Sequence, residues 1–177
     1  MAFVLLDFTF YYWHRLNHQV AFLWRFHNVH HIDVDLDVST ALRFHFGEIT
    51  LSTLFRVLQL LLIGPSFGTF LIFETCFVVA AEFHHSNWRL PFRAERALNK
   101  IFVTPRMHGI HHSIIQEETD SNYSTIFSWW DRLNGSFRMI TEAHAVTIGV
   151  TGYRDFAGQG IVRLLKLPFE KQRPYRS

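Results

Sequence analysis

Residues 49–83 read ITLSTLFRVLQLLLIGPSFGTFLIFETCFVVAAEF, the longest apolar stretch of the chain, interrupted near its middle by Gly64-Pro65-Ser66. Adjacent Gly and Pro end helices, so the stretch divides into two helical halves. Each would run roughly 23–27 Å, slightly short of the ~30 Å hydrocarbon core of a bilayer. Two arrangements accommodate it: a tight hairpin through a membrane, or a buried helical hairpin inside a soluble protein. The membrane hairpin returns the chain to the side it left, so His45 before it and His84-His85 after it share one face. Arg56 interrupts the first half about two turns in, and Glu74 stands near the middle of the second. A charge facing lipid is costly, so Glu74 is expected to face protein or a cavity, and Arg56 to snorkel toward the interface.

On the N-terminal side the chain begins MAFVLLDFTFYYWHRLNHQ. It has neither the basic stretch nor the small-residue cleavage site of a secretory signal. Residues 2–13 are too few to span a bilayer alone. They read either as the last part of a spanning helix or as an interfacial segment, with Tyr11, Tyr12 and Trp13 suited to the aromatic belt. On the C-terminal side residues 86–135 are mixed and polar; Pro91 can open a helix and Pro105 restarts the chain. Residues 163–177 carry a net charge of +4 beside Leu164, Leu165, Leu167 and Phe169. That composition fits an amphipathic tail on an anionic membrane face, and it also fits a solvated tail.

The whole chain of 177 residues suits one domain. Apolar residues make up 49% and charged residues 18%, with a net charge of +2; soluble domains average about 25% charged. This excludes a disordered chain and provides no basic stripe for a nucleic acid, so no nucleic-acid partner is expected. A single cysteine, Cys76, excludes an internal disulfide and a cysteine-rich zinc or iron–sulfur site.

Histidine is the outlying residue, 12 of 177. His14 and His18 stand four apart, on one face of a helix. Asp7 and Tyr11 continue that stripe, where a carboxylate can serve the second ring nitrogen of a ligand. His27, His30 and His31 form the pattern HxxHH, repeated at His108, His111 and His112. At this histidine content chance would give about 0.05 copies of HxxHH. Eight histidines therefore sit in strict patterns, and His45, His84 and His85 bring the candidates to eleven; His144 reads as an ordinary histidine. One zinc, with four ligands at most in a closed site, cannot use so many. Two metals can, and imidazole suits Zn, Cu, Fe and Ni alike. A nitrogen-rich dinuclear site beside a membrane points to redox iron activating O2 on a lipid. The residues alone leave open a dizinc hydrolase, with Glu48, Glu82 or Asp120 as base, and a membrane metal-binding protein without catalysis.

Order and spacing resemble the fatty acid hydroxylase/sterol desaturase superfamily of integral-membrane di-iron enzymes over roughly residues 5–138. The resemblance rests on Asp7, Tyr11-Tyr12-Trp13-His14-Arg15 and His18; Leu23-Trp24-Arg25-Phe26-His27-Asn28-Val29-His30-His31; Thr40-Ala41-Leu42-Arg43-Phe44-His45 and Glu48; Phe83-His84-His85-Ser86-Asn87 and Leu90-Pro91; and Thr104-Pro105-Arg106-Met107-His108-Gly109-Ile110-His111-His112-Ser113, followed by Asp120-Ser121-Asn122-Tyr123, Trp130-Asp131-Arg132-Leu133 and Gly135. It departs from many relatives at Ile32, where they carry Ser, and at Phe46, where they carry Pro. Relatives also place one or two further membrane helices before the first motif. The resemblance implies O2-dependent hydroxylation or desaturation of a fatty acyl or sterol-like lipid. It implies two Fe2+ ions, for which zinc can substitute, and electrons from an external electron-transfer protein or reductase. It assigns metal binding to His14, His18, His27, His30, His31, His85, His108, His111 and His112, and extends it to His45 and His84. Asn122 is implied near a metal or bound water, and Asp7 and Asp120 as carboxylates behind the ligands. Asp33, Asp35 and Asp37 can orient imidazoles or belong to a solvated loop. Arg89, Arg93, Arg96 and Lys100 offer a face for an acidic carrier, or simply a solvated helix face.

The expected fold is all-α: one domain over 1–177, a membrane helical bundle with a transmembrane hairpin at 49–83 and a histidine-rich helical cap on one membrane face. The resemblance further implies a multi-pass protein of the bacterial inner membrane or endoplasmic reticulum, with its metal site on the cytoplasmic side.

Overall fold

The break at Gly64-Pro65-Ser66 is where two long helices, α3 (Phe46–Ile63) and α4 (Phe67–His85), turn back on one another in the computed structural model, which describes residues 1–139, 146–155 and 160–173. Gly64 ends α3 in the left-handed region at φ 61°, a conformation that favours glycine. The Ser66 hydroxyl caps α4 by accepting from the Thr69 N–H. Both helices are long and apolar enough to cross a membrane, and only 11% of each candidate span is buried. A core hairpin of a soluble protein would be mostly buried; here Leu61, Leu62 and Phe67 are about three-quarters exposed. So wide an apolar face marks a membrane or partner surface.

The remaining helices among the described residues are α1 (Ala2–Gln19), α2 (Ala21–His31), α5 (Phe92–Leu98), α6 (Pro105–His111), α7 (Gln116–Thr119), α8 (Trp129–Leu133) and α9 (Ile161–Lys166). No strands occur among these residues, only isolated bridges at Phe102–Phe127 and Ser113–Ile148. The expected all-α architecture is what the chain adopts. Pro91 and Pro105 stand at the starts of α5 and α6.

α1 packs on α2, α3 and α4. Val20 alone separates α1 from α2, so the two helices fold against each other and face His14 and His18 toward His27 and His31. Leu6, Phe73 and Ile126 form one apolar cluster, and Tyr11, Tyr123 and Trp130 another beside it. Glycine at 47 is required by a close approach: a Cβ there would stand 2.5 Å from the Phe26 ring.

Two expectations change, and for Asp33 and Asp37 the loop alternative holds. Arg56 does not snorkel. Its Nε lies 3.0 Å from Glu74 Oε1, its Nη1 donates to Gln59 Oε1 at 2.7 Å, and its guanidinium sits over the rings of Phe10, Phe73 and Phe77. Glu74 supplies a counter-charge inside the bundle, which removes the reason to reach outward. The segment from residue 163 is not simply a tail. Leu167 is buried with Val29, Ile32, Val150 and Tyr153, and Arg25 donates to the carbonyls of Pro168 and Glu170. Asp33 and Asp37 serve their own loop rather than imidazoles. Asp33 pairs with Arg43 and accepts from Thr40, and Asp37 caps the short 3-10 turn Val38–Leu42. His144 and Arg176 lie outside the described residues.

Candidate metal centre

Nine imidazoles converge at the end of the bundle where α3 starts and α4 ends. They form two groups, His14, His18, His27, His31 and His111 in one, and His30, His85, His108 and His112 in the other. Within each group the candidate ligand nitrogens all lie within 4.8 Å of one another. Helical geometry explains the division. In each HxxHH motif the i and i+4 histidines share a face and the i+3 histidine is turned to the neighbouring one. His27 and His31 therefore enter the first group while His30 enters the second. His108 and His112 enter the second while His111 crosses to the first. His31 and His112 stack between the two groups, with ring centroids 4.3 Å apart.

The nitrogen spacing matches a coordination shell. Nε2 of His14 and His27, of His27 and His31, and of His14 and His111 stand 3.1–3.2 Å apart. The corresponding separations for His30–His85, His85–His108 and His108–His112 are 3.0–3.2 Å. Nitrogens each about 2.1 Å from one ion stand roughly 3.0–3.4 Å apart. The opposite ring nitrogens fix the tautomer. Nδ1–H of His14 donates to the Tyr123 carbonyl, that of His85 to Ala81, that of His111 to Ser121, and that of His27 to Glu48 Oε1 at 2.6 Å. Each such bond leaves an Nε2 lone pair pointing into the group. His18 has no hydrogen-bond partner at either buried ring nitrogen, an arrangement that a metal resolves. These residues fit two metal ions, one facing five imidazoles and the other four.

Burial favours the neutral form of seven of these imidazoles. His14 is pushed down to about 3, first by burial and then by His27. His18, His30, His31, His108, His111 and His112 are held well below the usual histidine range by burial first and neighbouring imidazoles second. Neutral imidazole is the ligating form. Folded-state values below 6.5 mean that the unfolded chain binds more protons below pH 6.5, so stability falls with pH there. Chelator-stripped protein is expected to unfold at progressively lower temperature as the pH drops from 7 to 4, with metal restoring stability at pH 7. A flat thermal-unfolding profile over that range would count against these buried neutral imidazoles.

His85, rather than His84, joins one of the two imidazole groups. His84 lies tilted against His108, with ring centroids 4.0 Å apart, and hydrogen-bonds to the Thr125 backbone. His45 stands outside both groups: its Nδ1 accepts from Gly47 N–H and caps α3, and its Nε2 donates to the Leu165 carbonyl. Asn122 is fully engaged by the backbone, donating to the Met107 and Arg138 carbonyls and accepting from Arg138 N–H. At φ 55° it stands between the two carbonyls, of Ser121 and Tyr123, that receive His111 and His14. It positions acceptors behind the ligands. Among the described residues Asp7 bonds to no histidine; it accepts from the N–H groups of Ile126 and Phe127 and from Trp130 Nε1. Asp120 lies 3.8 Å from His18 Nδ1. The carboxylate that does hold one of the grouped imidazoles is Glu48, in the first turn of α3. Its tie to His27 spans 21 residues, which no local motif reveals. Glu48→Ala is expected to lower metal affinity by about 10–100-fold, read by competition with a chelator; unchanged affinity would remove Glu48 from the site.

A cavity of about 370 Å³ leads away from the histidines between α1, α3 and α4. His14, His27, His30, His84, His85 and His108 line it, as do Phe10, Trp13, Phe44, Ile49, Phe77 and Val78. On another side a polar recess of about 430 Å³, lined by Arg15, His18, Asp120 and Tyr123 among others, reaches the first group.

A model of the fatty acid hydroxylase family matches residues 1–136. The chain belongs to the fatty acid hydroxylase family. It is 32% identical over 176 residues to ornithine lipid hydroxylase OlsE of Rhizobium tropici, covering 97% of this chain and 50% of that one. It is 32% identical over 151 residues to human alkylglycerol monooxygenase (85% and 32%), and 25% identical over 164 residues to rat cholesterol 25-hydroxylase (91% and 53%). The chain thus spans about half or less of these curated relatives. No solved structure matches it significantly. With its two apolar helices, membership of this family makes the chain membrane-associated.

Proposed function

We propose that this chain is the metal-binding body of an O2-dependent di-iron lipid hydroxylase. The observation that carries the reading is the junction of the two imidazole groups with the cavity: His14 and His27 of the first group and His30, His85 and His108 of the second also line a mostly apolar slot running between α3 and α4. The named relatives are hydroxylases and monooxygenases, which favours hydroxylation over desaturation. Two iron ions would be held by His14, His18, His27, His31 and His111 and by His30, His85, His108 and His112. When bound they supply the redox chemistry that turns O2 into an oxidant for a C–H bond, chemistry that side chains lack.

The chain's own residues do the rest. Nδ1–H bonds to Glu48, Ala81, Ser121 and Tyr123 hold ring orientation. Phe10, Trp13, Phe44, Ile49 and Phe77 give the acyl chain a dry wall and keep bulk water from the reacting carbon. Five nitrogens in the first group exceed the four ligands of a closed zinc site, which favours iron over a dizinc hydrolase. α3 and α4 cross the bilayer in this reading, with the metal centre on the cytoplasmic side. Electrons come from an external carrier or reductase, for which Arg89, Arg93, Arg96 and Lys100 provide an exposed basic face.

The test is purification under reducing, low-oxygen conditions, metal analysis, and O2-dependent oxidation of supplied lipids with an electron donor. Two irons per chain and a hydroxylated lipid are expected. Two zincs with no O2 consumption would establish the hydrolase instead, and bound metal with neither activity a binding protein.

A further inference from the structure

The Arg56–Glu74 ion pair lines the cavity about 15 Å along both helices from their histidine ends, ten residues beyond Phe46 and eleven before His85. Arg56 is enclosed by Gln59 and three aromatic rings, and its side chain is 15% exposed. Glu74 is less enclosed: 34% of its side chain stays accessible, and it shares the cavity wall with Ser52 and Thr53. Packing alone does not call for this pair, because well-packed apolar side chains commonly replace a buried ion pair without loss of stability. Ionisable groups within an apolar span mark function more often than structure. A carboxylate only accepts hydrogen bonds, so what it recognises must donate.

We propose that Glu74, held in place by Arg56, is a polar anchor in the slot that accepts a hydrogen bond from a hydroxyl or amide N–H carried by the lipid. The inference rests on reading the cavity as a lipid slot. An acyl chain without a donor is held by the apolar walls alone and can slide along them. A lipid with a donor about 15 Å from the histidine end is fixed at that point, and this sets which carbon lies beside the metal centre. The anchor is a specificity determinant and takes no part in the oxidation itself.

The test uses two photoreactive probes with the same saturated chain and a diazirine near the polar end. One ends in a primary alcohol and the other in its methyl ether, which cannot donate. Each is crosslinked to the purified full chain in detergent, and adducts are mapped by mass spectrometry. The alcohol is expected to label residues 52–78 about tenfold more efficiently than the ether, the scale of one hydrogen bond to a charged group. In the double variant Arg56→Met with Glu74→Leu the two probes should label equally. If that variant does not fold, Glu74→Gln keeps the shape and should reduce the preference severalfold. Equal labelling by the wild type, labelling outside the slot, or a preference that survives in the variants would overturn the anchor. No turnover is needed. A chain that prefers the alcohol but oxidises nothing refutes the hydroxylase reading and leaves the anchor standing; a chain that hydroxylates lipids with no such preference refutes the anchor alone.

Discussion

His111→Ala is expected to abolish lipid oxidation and to lower affinity at one of the two metal positions by more than about 100-fold, beyond the loss seen for partners behind the ligands. His111 comes from α6 yet enters the group built by α1 and α2, with its Nε2 3.1 Å from that of His14. Removing it opens the first shell and also frees the Ser121 carbonyl. The neighbouring His108 and His112 keep the second group intact, so one metal should remain. His45→Ala provides the contrast. It loses a helix cap worth about 1 kcal/mol but no ligand, so metal content per folded chain should stay at two. Equal metal loss in both variants would mean that folding, not ligation, was read.

Asp7→Ala is expected to destabilise the fold by roughly 3 kcal/mol or more, because three buried donors lose their acceptor. Its carboxylate gathers Ile126 N–H, Phe127 N–H and Trp130 Nε1 on the inner side of α1. Burial pushes Asp7 up to about 6, and those three donors pull the other way. A chain of this length would lose on the order of 10 °C in Tm. The folded fraction should still bind two metals, because Asp7 touches no imidazole. Thermal unfolding with metal analysis on the folded fraction checks both halves. Metal loss without loss of Tm would return Asp7 to the ligand-supporting role that the resemblance implied.

The two outcomes mark which features were legible in the sequence. The hairpin could be read because hydropathy and the Gly64-Pro65-Ser66 break are local. HxxHH could be read because one or two helical turns display its histidines together. The crossing of His30 and His111 into opposite groups follows from the same helical geometry, but it becomes visible only once α2 and α6 are placed side by side. Glu48 stands out in the sequence as a motif residue and as a candidate base, but its tie to His27 does not, because that imidazole lies 21 residues away. The acceptors behind His14 and His111 are backbone carbonyls, which carry no residue signature. Asn122 was singled out for its side chain, yet it acts by turning the backbone between them. In the sequence Arg56 and Glu74 stand as separate costs of a membrane span, because no pattern within one helix announces a partner on the next. His45 follows the motif order of the ligands and caps α3 instead.

Anomalous diffraction at the iron edge, or X-ray absorption combined with metal counting on anaerobically loaded protein, addresses the central assignment most directly. Two iron positions per chain are expected, one among His14, His18, His27, His31 and His111 and the other among His30, His85, His108 and His112. A single metal, or metal bound away from these nine imidazoles, would contradict the assignment.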